Sequence, residues 1–369
     1  MSDEDLPQSD CLPHARHPRE SYTLFGQQEA ERAFLSAHQS YRLHHAWLIT
    51  GPRGVGKATL AWRIARFILS QSEEGGMFNT PTQTDLAISP DYPIARRLAS
   101  LGEPRLHLVR RPYDPERKKL KTQITVDEIR KLKSFFQLSA ADGGWRVALI
   151  DAADELNASA ANALLKLLEE PPEKALILMV AHQPAKLLPT IRSRCRALMC
   201  RRLSREDLDA ALVDQGMSLG LDAAYIAELA DGSVGHAMTL LNEDGAARYQ
   251  SIANIFATLP KLDRNAAIKL AESCAGSGKE ELYGLTLNLL KQYLSRLAKF
   301  GAMQPASFQE AAKEEAQSFA RLAPNAHAGR KWADLLMSLD ARSDYARAVN
   351  LDPASVILDM FLEINKAAS

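Results

Sequence analysis

Cysteine is scarce in this chain: Cys11, Cys195, Cys200 and Cys274 are the only four, and no two form a Cys-x-x-Cys pair. A disulfide framework is therefore excluded, and a reducing compartment is expected. Cys11-x-x-His14-x-x-His17 has metal-like spacing, but it falls in a stretch expected to be loose, so no metal site is assigned. Long apolar runs are also missing. No stretch reaches the roughly 18 uninterrupted apolar residues that a membrane span needs. Residues 1–20 are acidic and then rich in proline and histidine, with no apolar signal-peptide core. A cytoplasmic protein without membrane contact is the expectation. Net charge is lacking too, since 45 Lys and Arg balance 45 Asp and Glu. A chain that grips DNA with its own surface is usually basic, so nucleic-acid contact is expected to be local or shared with partners. Repeats and low-complexity segments are absent.

What is present suits a soluble globular chain, with 46% hydrophobic and 24% charged residues. At 369 residues it is too long for one ordinary core. Residues 1–20 read as a disordered tail. A helix is predicted over 27–39, then a short apolar strand, Ala46 to Thr50, enters a glycine-rich turn. The stripe Leu60, Ala61, Ile64, Ala65, Ile68 predicts a helix from Lys57 to Ser70. Residues 72–103, richer in Gly, Pro, Thr and Ser, read as an insertion with little regular structure. Strands are predicted at 105–109, 146–151 and 175–181. Between them, Thr125 with Glu128 starts one amphipathic helix, and Asn157 caps another that Pro171–Pro172 must stop. Strands that alternate with helices and are apolar almost throughout predict a parallel sheet covered on both faces. After Leu203 the periodicity is helical only, with Ser204 as a cap, and Leu285, Leu289, Leu290, Tyr293, Leu294 and Leu297 line one helix face.

Gly51–Pro52–Arg53–Gly54–Val55–Gly56–Lys57, after a strand and before a helix, has the spacing of a phosphate loop. In such a loop backbone N–H groups cradle phosphate oxygens and the lysine reaches them. The candidate nucleotide-binding residues are Gly51, Gly54, Gly56, Lys57 and Asp151. The next position is Ala58, where the motif needs a hydroxyl to hold Mg²⁺. Thr59 does not replace it, because one residue along a helix turns the side chain by about 100°. Asp151 ends an apolar strand where it would approach a metal, but Ala152 follows where a hydrolytic site carries a glutamate. Losing a general base typically costs about 10²–10⁴ in rate. Binding of ATP or ADP is therefore expected to be weak, and no cofactor is required.

Ile191–Arg192–Ser193–Arg194–Cys195–Arg196 lies beyond the strand 175–181. From spacing alone it reads first as a solvated basic stretch, or as an arginine paired to a carboxylate. An arginine offered to a neighbour's phosphate is the second reading.

The phosphate loop, the run Leu164–Leu165–Lys166–Leu167–Leu168–Glu169–Glu170–Pro171–Pro172 and Ser193–Arg194–Cys195 together resemble the AAA+ subunits of the bacterial sliding-clamp loader. The resemblance covers roughly residues 20–240 in specific motifs and the rest in outline. It implies an AAA+ module over 21–203, an all-helical lid over 204–241 and an all-helical oligomerisation (collar) domain over 242–369. It also implies that Arg194 is an arginine finger acting in trans. Motor subunits of that family carry the hydroxyl residue, the acidic pair, a zinc-binding cysteine module and a lid arginine. This chain has Ala58, Asp151–Ala152, no cysteine between 57 and 146, and Gly235–His236–Ala237–Met238 without arginine. The resemblance thus implies a non-hydrolysing structural subunit, part of a DNA-directed DNA polymerase holoenzyme. Its partners would be the gamma/tau and delta subunits of the loader, with the sliding clamp and primed DNA reached through the complex. Two alternatives stand beside it: an active motor that uses Glu155 as its base, and a nucleotide-binding adaptor outside any ring.

Overall fold

The computed structural model describes residues 7–13, 15–40, 42–71, 84–137, 144–218, 220–276 and 278–369. Residues 1–6 of the expected tail, His14, and residues 72–83 of the expected insertion lie outside them. The contacts form two compact units, Met1–Ser218 with Gly232–Gly235, and Leu219–Asp231 with His236–Ser369. The stretch 204–241, expected as a lid, is thus shared between them.

The first unit contains α1 (Gln28–Gln39), β1 (Ala46–Thr50), α2 (Lys57–Gln71), α3 (Pro93–Ala99) and β2 (Leu106–Arg110). A small hairpin of β3 (Tyr113–Asp114) and β4 (Lys119–Leu120) follows, then α4 (Val126–Gln137), β5 (Arg146–Asp151) and α5 (Ala158–Glu169). The unit continues through β6 (Ala175–Ala181), α6 (Pro189–Arg192), β7 (Arg196–Met199) and α7 (Arg205–Asp214). Five strands form one sheet in the order β2-β5-β6-β1-β7, every pairing parallel. This is the α/β architecture expected. Alternate residues Ala46, Leu48, Ala148, Ile150, Ile177 and Met179 join Ile129, Leu132, Leu164 and Leu167 in one core, while α2 packs on β1, β5 and β6. Burial on both faces explains why these strands are apolar almost throughout. Asn157 caps α5 by accepting from Ala160 N (2.8 Å), and Ser204 caps α7 by accepting from Asp207 N (3.1 Å).

Three features differ from expectation. β7 was not predicted as a strand; it is a sheet edge of four residues with one buried, Leu198, and its short apolar run is set among arginines. The described part of the insertion contains α3, whose Ile94, Ala95 and Leu98 are buried. The described residues between Pro7 and Glu20 are packed, not loose: Asp10, His17 and Arg19 are all buried. The physical reason lies in α2, which carries Arg63 and Arg66 inside an otherwise apolar stripe. Arg66 is 1% exposed and donates to the carbonyls of Arg19 and Ser21, each at 2.7 Å. Arg63 donates to Tyr22 O and pairs with Glu31 (2.6 Å). A buried guanidinium requires such acceptors, and residues 19–22 supply them.

The second unit contains α8 (Ala223–Ala230), most of α9 (Val234–Asn242), α10 (Gly245–Ala257) and α11 (Arg264–Ser273). It ends with α12 (Glu280–Met303), α13 (Glu315–Leu322), α14 (Ala326–Ala348) and α15 (Pro353–Ala368). No strand occurs among its described residues, and none of the chain's described helices is long and apolar enough to cross a membrane. The stripe on α12 predicted from sequence is buried. α12 and α14 meet at Gly301 and Gly329, where a Cβ on Gly329 would lie 2.7 Å from Ala302 N. Glu315, fully buried, accepts from Tyr249 Oη (2.5 Å), Arg296 Nη2 (3.0 Å) and Ala311 N (2.7 Å), and so ties α10, α12 and α13 together.

In the first unit Gln27 has a comparable role. Its buried amide donates to Val55 O (3.0 Å) and Arg201 O (2.7 Å) and accepts from Arg201 N (2.9 Å). Gln27→Ala leaves three backbone groups without their partner and should destabilise the unit by about 2–4 kcal/mol. Urea unfolding followed by circular dichroism checks this, and an unchanged midpoint would refute it.

Candidate nucleotide site and arginine element

The parallel register gathers the site. Thr50 pairs with Ala181 and Asp151 with Val180, so β1, β5 and β6 end along one edge of the sheet. Gly51–Lys57, Asp151 and His182 all follow from that edge, where open parallel sheets bind ligands. Gly51 has φ 138° and a Cβ there would lie 2.2 Å from Cys200 O, so only glycine fits between β1 and the end of β7.

Every carbonyl from Gly51 to Gly56 is bonded by the chain itself. Lys57 Nζ donates to Gly51 O (2.9 Å) and to Pro52 O. Ser233 Oγ donates to Arg53 O (2.8 Å), Gly235 N to Gly54 O (3.1 Å), Gln27 to Val55 O and Leu60 N to Gly56 O (2.9 Å). Lys57 is 3% exposed, and burial lowers its pKa to about 8. In a phosphate-holding loop the lysine points at phosphate oxygens; here its ammonium faces its own loop.

Asp151 is also buried, and burial raises its pKa to about 8, helped by the negative charges of Asp10 and Glu155. A metal ion would have to displace that proton. Asp10 comes from the N-terminal stretch. Burial alone would raise its pKa, but a hydrogen bond to His17 and the charge of Arg110 outweigh this and hold it below the usual range. The residue after Asp151, Ala152, is buried and brings no oxygen. Neither neighbouring acid is free. Asp154 accepts from His182 N (2.9 Å) and Gln183 N (3.0 Å), and Glu155 is paired with Arg111 (2.8 Å). His182 is kept neutral: burial first, then the charges of Lys57 and Arg53, lower its pKa to about 4. Among the described residues no group of three His, Cys, Asp or Glu could hold a metal ion.

Arg194 stands apart from this constellation, between α6 and β7. Ser193 Oγ donates to Thr190 O (3.1 Å) and Cys195 Sγ to Ile191 O (3.0 Å), satisfying carbonyls of α6. Burial pushes the Cys195 thiol up to about 12, so it remains a neutral anchor. Between these two anchors Arg194 keeps its side chain 37% exposed, donating to Thr190 O (3.1 Å) and pairing with Glu169 Oε1 (2.9 Å). Other arginines of the cluster serve within the chain: Arg196 lies over Trp47 (5.0 Å), and Arg201 pairs with Glu29 (3.0 Å).

Residues 26–204 match the family model described as DNA polymerase III, delta subunit. The match spans most of the first unit and stops short of half of the chain. The delta' subunit of DNA polymerase III from Pseudomonas aeruginosa is 34% identical over 239 residues, or 62% of this chain and 65% of that protein. The delta' subunit from Yersinia pestis is 34% identical over 164 residues, 44% of each chain. The tau subunit from Escherichia coli is 27% identical over 278 residues, 73% of this chain and 40% of that protein. The chain thus spans less than two thirds of the length of each.

In the first unit the residues read as a nucleotide site, Gly51, Gly54, Gly56, Lys57 and Asp151, do converge at one edge of the sheet. Three others escaped sequence reading: Asp10, Gln27 and Ser233. Each is a common polar residue that no motif singles out, and only tertiary packing brings it to the loop. The buried proton on Asp151 has a measurable consequence. The folded chain holds this proton up to about pH 8, whereas an unfolded chain releases it near 3.8. Its contribution to stability is therefore complete below pH 3.8 and is lost as pH rises through 8. Asp151→Asn is neutral throughout and should gain stability over the parent chain between pH 5 and pH 8, on the order of 2 kcal/mol. Unfolding midpoints of both proteins at the two pH values test this; parallel pH profiles would refute it.

Proposed function

We propose that the chain is a non-hydrolysing delta'-type subunit of the clamp-loader complex of DNA polymerase III, acting in the cytoplasm. It offers Arg194 to ATP bound on an adjacent gamma/tau-type motor subunit, and so assists the ATP-driven loading of the sliding clamp onto primed DNA. The gamma/tau and delta subunits are its direct partners in this reading, and the clamp and DNA are reached through the complex. The observation that carries the proposal is the contrast between two sites. Arg194 is half-exposed on a braced element, whereas the chain's own phosphate loop turns its lysine onto loop carbonyls and is followed by Ala58. Ala58 and Ala152 remove the hydroxyl and the carboxylate that hydrolysis uses. Glu155, the base of the alternative motor reading, is already paired with Arg111. No nucleotide is required by this chain, and ATP or ADP binding is weak.

The purified chain should release no phosphate from ATP, with or without primed DNA. Robust turnover by the isolated protein would sink the reading. In a loader reconstituted with the motor and delta subunits, Arg194→Ala should slow hydrolysis at one neighbouring site by about 10³-fold or more. Assembly, followed by gel filtration, should survive. Unchanged single-site turnover would remove Arg194 from the mechanism.

A further inference from the structure

We infer that Glu169 is a positioning residue for Arg194, fixing the plane of its guanidinium before a neighbour's phosphate arrives. Glu169 has this role only if Arg194 is the finger proposed above.

A guanidinium has five N–H donors in a rigid fork. Here Nη2 is paired with Glu169 Oε1 at 2.9 Å and Nη1 donates to Thr190 O at 3.1 Å. The two terminal nitrogens are thus held from the chain's own side, which sets the plane of the group and leaves its other donors for a ligand. A flexible arginine would have to lose its rotamer freedom during the reaction; one already braced has lost it beforehand.

The location of Glu169 is the second observation. It is the last residue of α5, and Glu170 caps that end. The C-terminus of a helix carries partial negative charge, so acidic side chains there are unfavourable unless a cation answers them. Arg194 supplies that cation to Glu169. The same helix end is pinned from behind, where His45 Nε2 donates to Leu168 O at 3.0 Å. Pro171–Pro172 prevent further helix. Glu169 therefore stands at a fixed point. Both members of the pair are well exposed (37% and 48%), and such pairs contribute little to stability. A role in stability alone would leave the reaction untouched.

The test uses the full chain in the reconstituted loader, with ATP turnover measured against ATP concentration for Glu169→Ala, Glu169→Gln, Arg194→Ala and the Glu169→Ala/Arg194→Ala double variant. Glu169→Ala should lower kcat by about 10–100-fold with little change in KM. Glu169→Gln keeps an oxygen for Nη2 and should restore most of the rate. The double variant should be no slower than Arg194→Ala alone. Parent-level turnover in Glu169→Ala beside a slowed Arg194→Ala would overturn the positioning role and leave the finger intact. A Glu169→Ala loss that adds to that of Arg194→Ala would also overturn it, since the residue would then act independently. Normal turnover in Arg194→Ala would instead be a failure of the finger reading.

Discussion

The backbone carbonyls of the loop from Gly51 to Gly56 are the constraint around which the first unit is organised. A tight loop that turns its N–H groups one way presents its carbonyls the other way, and a buried carbonyl needs a donor. Lys57, Ser233, Gly235, Gln27 and Leu60 supply donors to all six. These donors come from three separate places in the sequence. Satisfying the loop therefore holds the start of α1, the start of α2 and the turn Gly232–Gly235 in place together. Gln27 extends the same set of bonds to Arg201, at the end of the edge strand. The loop is a structural hub before it is a ligand site.

The charges around it are arranged to match. Asp151 retains a proton, so only one of the two buried groups that would cooperate on a metal-bound phosphate, Lys57, carries a charge near pH 7, and burial lowers its pKa to about 8. The ionised carboxylate nearby, Asp10, is paired with Arg110 and lies 3.3 Å from His17 Nε2. Its negative charge works against phosphate at the same edge of the sheet. Asp154 and Glu155, which sequence spacing offers as substitutes for the missing catalytic acid, are spent on backbone N–H groups and on Arg111. The losses at Ala58 and Ala152 thus have no local rescue.

Much of this was readable from sequence because the physics is local. The strands of the sheet centre announce themselves through burial on both faces, and α5 and α7 through the capping residues Asn157 and Ser204. The glycines of the loop follow from backbone demands such as the 2.2 Å approach to Cys200 O at Gly51. What could not be read depends on distant contacts. The described residues between 7 and 20 look loose because their polar side chains and prolines show no period; they are held by arginines far away in sequence, Arg66 at residue 19 and Arg110 at Gln8 and Asp10. β7 is invisible because an edge strand with one buried residue has no alternation to detect. Arg194 could be singled out only by resemblance, since a basic run is usually solvated. Its pairing with Glu169 depends on how α5 ends, which spacing does not reveal.

The turn after Asp151 and the half-exposed arginine are joined by α5. This helix begins just after the turn Ala153–Glu155, which follows Asp151, and ends at Glu169, the partner of Arg194. Its 12 residues place the two ends about 18 Å apart on one rigid element. In a chain whose loop responds to nucleotide, movement at the first end would be carried to the second. Here the first end is held by bonds internal to the chain: the Asn157 cap, the Asp154 contacts to His182 and Gln183, and the Glu155–Arg111 pair. On the proposed function, the arginine offered to a neighbour then stays in one place whatever the nucleotide supply. The glycines and Lys57 serve the fold on their own account, because the loop that they form holds the starts of α1 and α2 and the turn Gly232–Gly235 together. A phosphate-loop signature can thus be maintained by the demands of the fold while catalysis depends on the far end of the helix.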